Sequence, residues 1–227
     1  MPEIIDARHL DVRFGQKNAL RRLNLQIEDR GHVIGLFGQN GAGKSTLLRS
    51  ICGVINRFDG TIAARPPSVA YLPDAAFLYP WLTVSACVEL GTALWDDFDP
   101  DVARTVFDEL GLAHDLRVRQ ASKGMSEQIH LGLVLARRCR LYVLDEPLAA
   151  VDPFTRDRLI EMIRRRRSPG STVVISTHLV AGLESLFDEA VVVHNGTVVL
   201  HQDTVGLAHG ELENCVKAVI AADALAH

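Results

Sequence analysis

The stretch Gly38-Gln39-Asn40-Gly41-Ala42-Gly43-Lys44-Ser45-Thr46 places glycines, a lysine and two hydroxyls in the order G-x-x-x-x-G-K-[ST], the spacing of a loop that cradles phosphates. Glycines at 38, 41 and 43 let the backbone turn its N–H groups toward an anion, and a helix that follows adds the positive end of its dipole. Lys44 is placed to reach the β- and γ-phosphates of a nucleoside triphosphate, and Ser45 to hold Mg²⁺ through its hydroxyl. Further on, Leu141-Tyr142-Val143-Leu144 ends in Asp145-Glu146-Pro147. Consecutive strand residues point to opposite sides, so the two carboxylates take different tasks. Asp145 is expected to hold Mg²⁺, largely through water, and Glu146 to polarise a water that attacks the γ-phosphate. An apolar strand followed by Asp-Glu is a weak signal alone and a strong one beside a phosphate loop. His178 follows Val174-Ile175-Ser176-Thr177, at the carboxyl end of another predicted strand, where open α/β sheets bind ligands. There it would face the γ-phosphate.

These groups need a sheet to hold them. Val33-Ile34-Gly35-Leu36-Phe37 reads as a buried strand, and residues 45–52 carry apolar side chains at helical spacing, so the glycine loop joins a strand to a helix. Further buried strands are predicted at Val69-Ala70-Tyr71-Leu72, Leu141-Tyr142-Val143-Leu144, Val173-Val174-Ile175-Ser176 and Ala190-Val191-Val192-Val193, with a helix at about 155–166. Strands alternating with helices make a mostly parallel sheet the economical solution. Residues 4–28 alternate apolar and polar positions, predicting an antiparallel β lobe that turns near Gly15-Gln16-Lys17-Asn18. Phe58-Asp59-Gly60-Thr61-Ile62 reads as a turn into a strand, and Asn195-Gly196 as a hairpin turn. From about residue 80 to 140 helical spacing takes over, through Val102, Val106 and Leu110 and later Ile129, Leu133 and Val134. The fold class is therefore α/β: a P-loop NTPase core with a mostly parallel sheet, an N-terminal antiparallel β lobe and an inserted α-helical lobe. One domain over 1–227 is expected, with the helical part at about 76–140 set between core segments at about 1–75 and 141–210. The tail at 211–227 has a weak helical pattern and no assigned chemistry.

Composition narrows the partners. The chain has 227 residues, 48% of them hydrophobic and 23% charged, with a formal net charge of −4, whereas general nucleic-acid binders are usually basic. No nucleic acid is expected. The one basic run, Arg164-Arg165-Arg166-Arg167, precedes Ser168-Pro169-Gly170 and suits the last turn of a helix, where cations complement the dipole. Cys52, Cys87, Cys139 and Cys215 lack C-x-x-C spacing, which indicates neither a zinc site nor a disulfide framework and fits a reducing cytoplasm. No signal peptide is expected, and no run approaches the roughly 18 apolar residues of a membrane span. A membrane role would come through a partner.

Taken together, these residues resemble the nucleotide-binding subunits of ATP-binding-cassette (ABC) transporters, over about residues 4–200. Ser122-Lys123-Gly124-Met125-Ser126-Glu127-Gln128 resembles the family signature, usually written LSGGQ, at the expected distance ahead of Asp145-Glu146. Ala149-Ala150-Val151-Asp152 is similar to the loop that crosses the family's dimer interface, and His178 matches the switch histidine. Phe14 matches the aromatic residue that stacks on adenine. The resemblance implies that two domains pack head to tail, each ATP lying between the phosphate loop of one and the signature of the other. Ser122 and Gly124 would then act in trans, at the start of a predicted helix whose N-terminus favours anions.

Two segments depart from the pattern. The signature reads Ala121-Ser122-Lys123-Gly124-Met125, with lysine at a glycine position and methionine at the glutamine position. Asp74, in Tyr71-Leu72-Pro73-Asp74, stands where the family has a glutamine that approaches Mg²⁺ and couples to the membrane subunit. A coupling role is retained for Asp74. Both departures resemble a branch of export-type ATPases that work with separate membrane proteins. The expected function is an ATP- and Mg²⁺-dependent ATPase, a homodimer on the cytoplasmic face of the membrane, driving an integral-membrane permease. Two other readings stay open: a soluble cassette acting on ribosomes or DNA, and a nucleotide sensor without meaningful hydrolysis.

Overall fold

The structure, a computed structural model, describes residues 2–63, 69–149, 151–208 and 210–225. In chain order its elements are β1 (Glu3–Phe14), β2 (Lys17–Glu28), β3 (Val33–Phe37), α1 (Lys44–Ile51), β4 (Asp59–Ile62), β5 (Val69–Leu72), α2 (Val84–Leu94), α3 (Pro100–Leu110), α4 (Lys123–Leu135), β6 (Leu141–Asp145), α5 (Pro153–Arg166), β7 (Thr172–Thr177), β8 (Glu189–His194), β9 (Thr197–Asp203) and α6 (Glu211–Leu225).

Two sheets form. The first is antiparallel, in the order β2-β1-β4, and the second runs β5-β6-β7-β3-β8-β9. Within the second, β5, β6, β7, β3 and β8 pair in parallel and β9 closes the edge antiparallel to β8. The central strands β3, β6, β7 and β8 are buried along their whole length, as a parallel sheet covered on both faces requires. Strand period two divides their side chains between two cores. Ile34, Leu36, Val143, Val174 and Val191 pack with Leu10, Leu20 and Leu23 of the antiparallel sheet and with Leu47 and Leu48 of α1. Val33, Phe37, Tyr142, Leu144, Ile175 and Val192 pack on the other face with Phe107, Ile129, Leu133 and Leu159.

The predicted elements are present with small shifts. The first hairpin turns at Gly15-Gln16, because Lys17 already pairs with Phe14. The strand Val69–Leu72 is buried at alternate positions only, since it lies at the sheet edge rather than inside it. The helix after the glycine loop begins at Lys44, one residue early. The tail is a helix, α6, whose Leu212 and Val216 join the second core.

Helices α2, α3 and α4 lie between β5 and β6 in the chain, and local chemistry sets their ends. Thr83 caps α2, accepting from the Ala86 N–H at 3.1 Å. Asp99 caps α3 ahead of Pro100, and Gly111 closes it with φ +70°, the proline-start and glycine-stop arrangement. Arg137 fastens this region to the sheet: its guanidinium makes a two-pronged bond to Asp97 at 2.8 and 2.9 Å and donates to the Val69 carbonyl at 2.8 Å. No helix among the described residues is long and apolar enough to cross a membrane.

Candidate active site

Neighbouring strands deliver the chemical groups. β3, β7 and β6 are adjacent, with Phe37 paired to Thr177 and Asp145 to Ser176, so the glycine loop, His178 and the Asp145-Glu146 pair all leave the same carboxyl edge. The loop depends on backbone geometry that side chains obstruct. Gly38 and Gly43 have φ of +153° and +113°. A Cβ on Gly38 would stand 2.3 Å from the Val193 carbonyl oxygen, and one on Gly43 2.7 Å from that of Ala19. Gly38→Ala should therefore displace the loop, costing about 1–3 kcal/mol of stability and weakening ATP binding at least tenfold. Urea melts and fluorescent-nucleotide titration measure the two effects, and wild-type affinity in the variant would refute the steric argument.

Lys44, 6% exposed, donates to the Gly38 carbonyl at 2.9 Å and the Gln39 carbonyl at 3.4 Å. Its ammonium also lies 3.5 Å from Glu146 Oε1. Ser45 Oγ donates to Asp145 Oδ1 at 3.1 Å, and Ser176 Oγ donates to the same oxygen at 2.6 Å. Asp145 Oδ2 is buried and accepts no hydrogen bond among the described residues. Burial pushes the Asp145 carboxyl above the usual range, opposed by the Ser176 and Ser45 hydroxyls. A buried carboxylate oxygen without a donor, beside a serine hydroxyl, is a donor set that a hard divalent cation completes.

Glu146 sits in the left-handed region at φ +52°, a strained setting for a non-glycine residue. Its backbone N–H donates to both the carbonyl and the hydroxyl of Ser176, at 3.1 and 2.9 Å. Glu146 Oε2 meets His178 Nδ1 at 3.0 Å, and the histidine remains 43% exposed. Lys44 and Glu146 line a cleft of about 330 Å³ with Phe14, Lys17, Gln39, Asn40, Gly41, Gly43, Ser45, Thr46 and Asp74, and His178 continues their chain of polar contacts outside its lining. Phe14 is 55% exposed at the end of β1, its ring free to take a flat partner. Asp74 Oδ1 accepts from Arg49 of α1 at 2.8 Å. Ala42 stays within the loop, its carbonyl accepting from Gly196 at 2.9 Å.

Ser122, Gly124 and Asp152 do not line this cleft. Ser122 caps α4, its Oγ accepting from the Met125 N–H at 3.2 Å, and space around Gly124 is open. Asp152 caps α5 through Thr155, at 3.0 Å to the N–H and 2.6 Å to the hydroxyl, and these bonds hold its carboxyl below the usual range. Ala150, of the loop predicted to cross the dimer interface, lies outside the described residues.

Three contributors escaped the sequence reading. Ser176 braces the Asp145 carboxylate and the Glu146 backbone N–H, and register alone, opposite Asp145, could have exposed it. Helix α6 flanks a second cavity of about 490 Å³ shared with Gly38, Gln39 and His178. His130 is the third: it is buried in the helix that begins at Ser122. Its Nδ1 donates to the Ser126 carbonyl at 2.6 Å, its Nε2 accepts from the Phe77 N–H at 3.3 Å, and its ring packs edge-on to Phe77 at 4.7 Å. Burial pushes its pKa below the ordinary 6.5, with the Ser126 carbonyl working the other way. A depressed pKa means that its stabilising contribution is full above the ordinary value and lost as pH falls through the depressed one. Between about pH 7 and about pH 5, wild type should lose more stability than His130→Gln. Parallel melting temperatures across that range would refute it.

The profile of the ABC transporter family matches residues 20–149. YthP of Bacillus subtilis, an uncharacterized ABC transporter ATP-binding protein, is 28% identical over 222 residues, covering 92% of this chain and 93% of that protein. The aliphatic sulfonates import ATP-binding protein SsuB of Burkholderia thailandensis is 35% identical over 84% of this chain, which spans 58% of that protein's length. Among solved structures, the ATP-binding subunit of an ABC transporter superposes with a TM-score of 0.82 at 25% identity, covering 95% of this chain and 99% of that one. The strand-end phosphate loop, the carboxylate pair and these likenesses agree: the chain belongs to the ABC transporter family and is an ATP-binding subunit with ATPase activity.

Proposed function

We propose that two copies of this chain close head to tail on two ATP molecules and drive a separate integral-membrane permease from its cytoplasmic face. One observation carries the reading. The cleft gathers Lys44, Ser45, Glu146 and Phe14, with Asp145 hydrogen-bonded behind Ser45, whereas Ser122 and Gly124 stand at an open helix N-terminus outside it. A helix start that favours anions completes the γ-phosphate cage only from another copy. In each site Lys44 and the loop N–H groups hold the phosphates, and Phe14 stacks on the base. Ser45 and Asp145 hold Mg²⁺, Asp145 largely through water, and the cation supplies charge neutralisation on the phosphates. Glu146 accepts the proton of the attacking water, and His178, hydrogen-bonded to it, orients that carboxylate and faces the γ-phosphate. Asp152 belongs to the facing loops between copies.

We assign permease coupling to the segment after β5, within a helical part spanning about 76–140. Asp74 in the cleft leads directly into Phe77, Tyr79 and Trp81, all exposed, with Tyr79 and Trp81 stacked at 4.8 Å. Exposed aromatics grouped in this way suit a docking surface. His130 ties the same segment to the helix headed by Ser122, so a pull at Phe77 reaches the γ-phosphate of the partner's ATP. We assign export as the direction, on Asp74 and the Lys123-Gly124-Met125 variant; the relatives named as import subunits support the opposite sense. Tagged Glu146→Gln protein with ATP, purified from detergent-solubilised native membranes, should retain a stoichiometric multi-span protein. Trp81→Ala should lose it while still binding ATP. Recovery of only ribosomal or nucleic-acid proteins would replace the transport reading with a soluble cassette.

A further inference from the structure

A second group of metal-ligating side chains lies at the opposite end of the sheet, where the parallel strands begin. His32 immediately precedes β3, Glu189 opens β8 and Asp203 ends β9. Register brings them together: Glu189 is the cross-strand partner of Asp203 on one side and of Ile34 on the other. His32 Nδ1 lies 2.7 Å from Glu189 Oε1, and one donor atom each from His32, Glu189 and Asp203 fall within 4.8 Å of one another. The second oxygen of Glu189 meets His201 Nε2 at 2.8 Å.

Charge makes this arrangement unusual. Glu189 is only 5% exposed, and a buried carboxylate opposite a second carboxylate needs compensation. The adjoining cleft of about 290 Å³ is lined by the carboxylates of Glu3, Glu28, Glu189 and Asp203 and by the single guanidinium of Arg30. Arg30 is already committed to Glu28 at 2.7 Å and reaches Asp203 only at 3.8 Å. His32 and His201 supply hydrogen bonds to Glu189. A divalent cation would balance both carboxylates, and the open cleft gives it access.

We propose that His32, Glu189 and Asp203 form a Zn²⁺ site, with His201 as a positioning residue that orients Glu189 through its other oxygen. One imidazole nitrogen and two carboxylate oxygens form a donor set that zinc accepts, leaving one tetrahedral position for water. Zinc bonds of about 2.0–2.2 Å set donors roughly 3.4 Å apart. The cluster must therefore contract, and Asp203, whose side chain is 67% exposed, is free to swing inward. Zinc at Nδ1 takes the place of the His32–Glu189 hydrogen bond, and the imidazole then carries its proton on Nε2. The ion ties β9 at the sheet edge to β8 and to the connection entering β3, remote from the nucleotide cleft.

The test is calorimetric titration of ZnCl₂ into untagged, reduced, nucleotide-free protein, with melting temperature followed in parallel. One equivalent should bind at micromolar or tighter affinity and raise the melting temperature. Asp203→Asn, which keeps the size of an exposed side chain, should weaken binding at least tenfold, and His32→Gln likewise. His201→Gln should weaken it about tenfold, the usual cost of losing an outer-shell partner. Absence of saturable binding overturns the proposal and leaves a hydrogen-bonded His-Glu-His network. Binding that survives both Asp203→Asn and His32→Gln also overturns it, by placing the zinc elsewhere, on the cysteines or in the nucleotide cleft.

Discussion

Exchanging Glu146 for glutamine should lower ATP turnover by about 10²–10⁴-fold, the range for loss of a general base, while leaving ATP binding intact. The substitution keeps the side chain's length and its reach to His178, 3.0 Å away, and removes only the charge and the capacity to take a proton. It also frees Lys44, whose ammonium lies 3.5 Å from Glu146 Oε1 in the nucleotide-free cleft, so affinity for the triphosphate should hold or improve. Under the proposed mechanism the variant accumulates as an ATP-bound dimer. Steady-state phosphate release, fluorescent-nucleotide binding and sedimentation with ATP provide the three readouts. Turnover at the wild-type rate would remove Glu146 from the role of base, whatever the dimer does.

Asp145→Asn should reduce turnover by about 10²–10³-fold, in keeping with the loss of one preorganised electrostatic contact, and should raise the Mg²⁺ concentration needed for half-maximal activity. The variant discriminates between two roles. An asparagine oxygen can still accept from Ser45 and Ser176, which now bond Asp145 Oδ1 at 3.1 and 2.6 Å, so the local scaffold is kept. What changes is the buried Oδ2, which has no donor among the described residues and becomes an amide that repels a cation. A carboxylate that served only the hydrogen-bond scaffold would leave the Mg²⁺ titration unmoved. That outcome would refute the metal assignment while sparing the fold.

Residues 38–46 and the apolar run before Asp145-Glu146 were legible from sequence because their chemistry is local. Glycines at fixed offsets, a lysine and a hydroxyl at a helix start require one backbone path, and the apolar runs of β3 and β6 announce themselves by hydrophobicity. The antiparallel lobe was readable for the same reason, its alternation recording one buried face. The edge position of β5 was not, because an apolar four-residue run carries no record of what pairs with it.

The sequence by itself determined a phosphate loop, a carboxylate pair and their family, since each is written in neighbouring residues. The tertiary structure alone decided that Ser176, from another strand, braces the Asp145 carboxylate and the Glu146 backbone. It alone brought His130 to Phe77, 53 residues away, and set His32 beside Glu189, 157 residues on. It also left Ser122 outside the cleft it is expected to serve from a second copy. Contacts between distant segments follow from strand order and register, which are settled by packing two cores on one sheet and leave no local signature in the chain.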